Sequence, residues 1–157
     1  VLELIADLQK KQNSAMILIT HDFGVVARSC DTVAVIYAGQ IVEYGTKEQI
    51  FRTPEHPYTQ GLFEAIPHLT TDVDRLKPIN GLPPDPTALP EGCYFAPRCP
   101  YATDECRRGP IPAQKSTDGH ISRCIRPMGS SQAARTTSTD EVISADESRN
   151  SGASAEE

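Results

Sequence analysis

Two sets of residues in this 157-residue chain have the types and spacing to do chemistry. The first is His21, which closes the run Met16-Ile17-Leu18-Ile19-Thr20-His21-Asp22. An imidazole titrates near neutrality, so it can exchange a hydrogen bond with a phosphate oxygen or with an attacking water. The second is a group of four cysteines, Cys93, Cys99, Cys106 and Cys124, spaced C-x5-C-x6-C-x17-C. Their segment has few apolar side chains and needs a staple, which could be two disulfides, a zinc ion or an iron–sulfur cluster. Disulfides fit poorly, because no stretch of the chain reads as a secretory signal. Zinc sites usually include a close C-x2–4-C pair, which is absent here, whereas Cys99 is followed by Pro100, a neighbour common at cluster ligands. Spacing alone leaves cluster and zinc level, with disulfides behind them. Cys30 stands apart and reads as a small buried hydrophobe.

The elements that must position these groups follow from periodicity. Val1 to Lys11 carries Val1, Leu4, Ile5 and Leu8 at helical spacing, with Lys10 and Lys11 at the negative end of the helix dipole. Met16 to Thr20, rich in β-branched residues, predicts a strand covered on both faces, as in a parallel sheet. Ligands of such sheets bind at the carboxyl ends of strands, where His21 falls. Asp22 suits the N-cap of a helix reaching Ser29 and burying Val25 and Val26. Thr32 to Ile36 and Ile41 to Tyr44 predict a hairpin turning at Ala38-Gly39-Gln40 and ended by Gly45. Thr46 and Gln49 form a capping-box pair that opens a short helix stopped by Pro54. Pro57 fits the first turn of a further helix through Ile66.

All thirteen prolines lie between Pro54 and Pro127. Those at 67, 78, 83, 84, 86 and 90 predict an extended connector without regular structure. From Ser130 onward the chain is Ser, Thr, Ala, Asp and Glu with hardly an aliphatic side chain, and holds −4 of the formal net charge of −6. This tail is expected to be disordered. No basic stripe suits nucleic acid, and no apolar run approaches the roughly 18 residues of a membrane helix.

The order of Met16 to Asp22, then Val25-Val26-Ala27, then Asp31 to Gly45 with its "G-x-I-V-E-x-G" turn, resembles the closing part of an ABC-transporter nucleotide-binding domain. Further matches are Glu55-His56-Pro57-Tyr58-Thr59, the connector Pro78 to Pro84, Gly92 to Pro100, Cys106, Gly119-His120 and Cys124. Together these resemble the C-terminal extension of the ATP-binding subunits of oligopeptide and dipeptide importers. The resemblance implies an α/β fold: the C-terminal part of a P-loop-type nucleotide-binding domain over 1–66, an irregular cysteine-rich extension over 67–129 and the acidic tail over 130–157. It implies that His21 is the switch histidine, contacting the γ-phosphate of ATP in a site that also takes magnesium. It implies a [4Fe–4S] cluster on Cys93, Cys99, Cys106 and Cys124, with zinc as the alternative. The implied partners are a second ABC ATPase subunit, transmembrane permease subunits and, indirectly, a substrate-binding protein, at the cytoplasmic face of the membrane. Nickel importers of the same subfamily, a free-standing metal-binding regulatory module and an unrelated α/β enzyme using His21 as an acid–base group are the alternatives.

The 157 residues contain no G-x-x-x-x-G-K-[ST] phosphate loop, no Leu-Ser-Gly-Gly-Gln and no apolar strand ending in Asp-Glu. In the family these precede the switch histidine, so the chain is expected to be part of a larger ATPase and to hydrolyse no ATP alone.

Overall fold

The hairpin forms, and the rest of the fold is built on it. The computed structural model describes residues 2–65, 78–128 and 136–137. Strands β1 (Thr32–Tyr37) and β2 (Gln40–Thr46) pair antiparallel around a turn in which Ala38 and Gly39 take φ of 47° and 79°. Two successive left-handed residues give the turn a twist that matches the strands. Register shifts between Val35 and Ile36, leaving Val42 as an extra residue on β2, and the consecutive residues Val42 and Glu43 are both buried. A bulge of this kind breaks strict alternation and turns a polar side chain inward. Gly45 lies inside β2 rather than at its end; a Cβ there would stand 3.0 Å from the His120 ring.

The chain returns to this hairpin near its far end. β3 (Gln114–Lys115), β4 (Ile121–Ser122) and β5 (Thr136–Thr137) complete a sheet of order β1-β2-β4-β3-β5 in which every pairing is antiparallel. Four α-helices accompany it: α1 (Leu2–Gln12), α2 (Phe23–Ser29), α3 (Lys47–Arg52) and α4 (Pro57–Glu64). Asp22 accepts from the Val25 N–H as the N-cap of α2, Thr46 and Gln49 make the full capping box of α3, and Pro57 occupies the first turn of α4. The core joins Val35, Tyr37, Val42 and Ile50 to Phe95 from the cysteine segment. Phe95 meets Tyr37 edge-on at 5.3 Å and Tyr58 at 5.4 Å, so the segment packs on the hairpin and α4 instead of forming a core of its own.

Several expectations are corrected. Met16 to Thr20 forms no strand, and Ile17 and Ile19 are 87 % and 94 % exposed. A doubly covered strand needs a neighbour on each edge and a layer on each face, and the sheet among the described residues is antiparallel and lies elsewhere. Leu4 and Leu8 of α1 are likewise exposed, while Val25, Val26 and Cys30 are half-buried. Residues 78–90 have no regular structure, as their prolines dictate. The remainder of the connector (66–77) and most of the acidic tail lie outside the described residues. No helix among the described residues is long and apolar enough to cross a membrane.

Candidate functional site

Cys93, Cys99, Cys106 and Cys124 open into one cavity, which His56, Phe95, Tyr101, Ile111 and Arg123 also line. A succession of tight turns brings them there: Ala96 N–H donates to Cys93 O, Arg98 N–H to Phe95 O and Ala102 N–H to Cys99 O. A short 3-10 helix, Asp104–Arg107, delivers Cys106, whose carbonyl accepts the Cys93 N–H at 2.8 Å. That bond is possible because residue 92 is glycine; a Cβ there would stand 2.2 Å from the Cys106 oxygen. Arg98 clamps the approach from outside, donating to the carbonyls of Ile79 and Asn80 and to the Tyr37 hydroxyl.

All five cysteines are free thiols. Burial pushes the thiols of Cys93 and Cys99 above their usual range and that of Cys124 up to about 12. Opposing this, backbone N–H groups of Phe95 and Ala96 point at the Cys93 sulfur, that of Tyr101 at Cys99 and that of Arg126 at Cys124. Neighbouring cysteines raise one another further, since adjacent thiolates repel. The nest is therefore a set of protonated thiols with donors already aimed at their sulfurs, which a bound cation would convert to thiolates. Among the described residues, no group of three or more His, Cys, Asp or Glu side chains is spaced to hold a single metal ion.

Against the nest lies a buried polar network that sequence reasoning missed. Glu43, fully buried on β2, accepts the Glu55 N–H at 2.6 Å and the His56 N–H at 3.0 Å, and bonds His120 Nε2 at 2.8 Å. His120 Nδ1 faces the Glu55 carboxylate at 3.7 Å. Burial pushes the Glu43 carboxyl up, but the His120 bond and the two backbone donors outweigh it and hold it below the ordinary value. Burial also pulls the His56 imidazole down to about 4, against the opposing charge of Glu43. The signal was a lone glutamate between apolar neighbours in a strand, whose inward turn depends on a bulge that the sequence does not display.

His21 takes no part in the cavity. It stands exposed at a bend after the extended run, where the next residue, Asp22, donates its N–H to the Thr20 hydroxyl and caps α2.

Residues 42–106 match the family described as the C-terminal region of the oligopeptide/dipeptide transporter. Over 128 residues, 82 % of this chain and 39 % of the relative, the sequence is 44 % identical to the dipeptide transport ATP-binding protein DppD of Escherichia coli. It is 50 % identical over 110 residues to the oligopeptide transport ATP-binding protein OppD of Haemophilus influenzae, and 46 % over 125 residues to AppD of Bacillus subtilis. Those matches take in 70 % and 80 % of this chain, and 34 % and 38 % of the relatives. The chain thus spans about two fifths of the length of the curated relatives it matches. By class it belongs with the ATP-binding proteins of peptide transport. More particularly, it carries the C-terminal region of the oligopeptide/dipeptide transporter family.

Proposed function

We propose that the chain is part of the ATP-binding subunit of an importer for oligopeptides or dipeptides. The observation that carries this reading is the family match over the hairpin, α3, α4 and three of the four cysteines, together with the names of the relatives. In the assembled subunit ATP binds with magnesium, and hydrolysis drives two permease subunits between their open states. A second ATPase subunit completes the nucleotide sandwich, a substrate-binding protein delivers the peptide, and the whole sits at the cytoplasmic face of the membrane. His21 contacts the γ-phosphate; its exposure and its place before the capped α2 leave the imidazole free to do so.

The nest holds a [4Fe–4S] cluster on Cys93, Cys99, Cys106 and Cys124. Its support is the donor set: four sulfurs on one cavity, backbone N–H groups aimed at three of them, and arginines at the wall. Zinc requires all its ligand sulfurs about 2.3 Å from a single point, and the side chains are not spaced for one ion. A cluster offers one iron to each thiolate and tolerates a wider spread, so it is the better fit. Such a group supplies an electron-accepting centre or a covalent staple, while the protein's part is to orient the sulfurs and exclude water from them.

A strain lacking the gene for this protein should lose uptake of labelled di- or oligopeptides and regain it with the full gene. Unchanged peptide uptake accompanied by loss of nickel uptake would replace the peptide reading with the nickel one.

A further inference from the structure

His56 is 1 % exposed, and its two ring nitrogens have different surroundings. Nδ1 accepts the Tyr58 N–H at 3.1 Å and so caps α4. A neutral imidazole whose Nδ1 is an acceptor carries its hydrogen on Nε2, which is therefore a donor. Burial keeps the ring neutral near pH 7. Yet Nε2 is sealed from solvent and has no hydrogen-bond partner among the described residues. Buried donors are almost always satisfied in folded proteins, so an orphan of this kind points to an acceptor still to be supplied. The ring forms part of the wall of the cysteine cavity, where sulfur is the acceptor on offer.

We infer that His56 donates its Nε2–H to a sulfur of the group held by Cys93, Cys99, Cys106 and Cys124, orienting that group and raising its reduction potential. The inference rests on the cluster reading above. Donors stabilise the more negative, reduced state, and hydrogen bonds to sulfur are among the factors that set cluster potentials. The ring is held for this task from two sides, by the α4 cap and by Phe95, whose centroid lies 6.0 Å away. Glu43 meets His56 through the backbone N–H, so changing the side chain leaves that bond in place.

The test uses full-length protein purified without oxygen, with iron content measured first and the potential then titrated by electron paramagnetic resonance of the reduced state. Asparagine caps helices well, and its Oδ1 can stand where Nδ1 does, so His56→Asn keeps the α4 cap and removes only the far donor. The expected result is full iron with about a tenfold smaller one-electron reduction constant, a fall of ~59 mV. His56→Gln, whose amide reaches the Nε2 position, should restore most of the potential. Full iron and an unchanged potential in His56→Asn would overturn the inference. Wild-type protein that takes up no iron would overturn the cluster reading itself, and this inference with it, before any variant is compared. Should His56→Asn lose its iron, wild-type protein carrying 15N-histidine decides the matter: a weak nitrogen coupling to the reduced cluster is expected, and its absence refutes the bond.

Discussion

Glu43 and His120 are 77 positions apart in the chain, and their side chains meet at 2.8 Å with both residues buried. The contact ties β2 to the loop entering β4, and through the Glu55 and His56 N–H groups it also fixes the approach to α4. One carboxylate thus sets the position of three segments that surround the cysteine cavity.

Removing one partner of this pair should be costly, because the other is left buried without compensation. Either Glu43→Ala or His120→Ala is expected to lower stability by about 3–5 kcal/mol. Urea denaturation of the chain checks this, and a loss below about 1 kcal/mol would mean that the network is not formed in solution. The sign of the acid dependence follows from the depressed Glu43 pKa. A carboxyl held below its unfolded value of 4.5 contributes stability that is complete above that pH. The contribution is lost as pH falls through the folded value.

His56 shifts the same balance in a higher window. Its folded pKa of about 4 lies below the unfolded 6.5, so between these values the unfolded chain binds the extra proton and stability rises with pH. A shift of this size corresponds to about 3 kcal/mol, present in full above pH 6.5 and lost on descending to about 4. Denaturation midpoints of wild type between these limits should fall steeply, and those of His56→Asn should fall much less. Parallel slopes for the two proteins would show that His56 is not buried neutral.

Legibility differed by element for physical reasons. The hairpin, the Asp22 cap, the Thr46–Gln49 box and Pro57 at the start of α4 were readable because each is decided by residues within about four positions of one another. The Met16–Thr20 strand was not, since a strand exists only with a neighbour, and apolar composition alone does not supply one. The four cysteines could be counted and spaced, but their convergence on one cavity depends on Gly92 admitting the Cys93 to Cys106 bond. The Glu43 network could not be foreseen, because it spans β2, α4 and β4 and turns on a one-residue bulge.

His21 is exposed and supports no packing, so replacing it should change chemistry without changing stability. In the complete ATPase, His21→Ala is expected to lower turnover on the order of 10²-fold while leaving ATP affinity nearly intact, as for a group acting on developing charge. Thermal melting of the variant should match wild type within about a degree. Equal losses in affinity and rate would assign His21 to ground-state binding instead.

The cysteine nest gives the sharpest test, because its members are distinguished from Cys30 by position alone. Protein purified without oxygen should be brown and carry about four iron atoms per chain. Serine at Cys93, Cys99, Cys106 or Cys124 should lower iron content and loosen the turns from Gly92 to Cys124, since metal binding and folding are coupled where the core is small. Cys30→Ser should leave iron unchanged, as Cys30 does not line the cavity. Gly92→Ala touches no ligand side chain, yet its methyl would collide with the Cys106 carbonyl. It should cost about 1–3 kcal/mol and reduce iron as much as loss of a ligand does. Stoichiometric zinc without iron would retain the nest and exclude the cluster. Full iron in Gly92→Ala would show that the Cys93 to Cys106 bond does not hold the sulfurs in place.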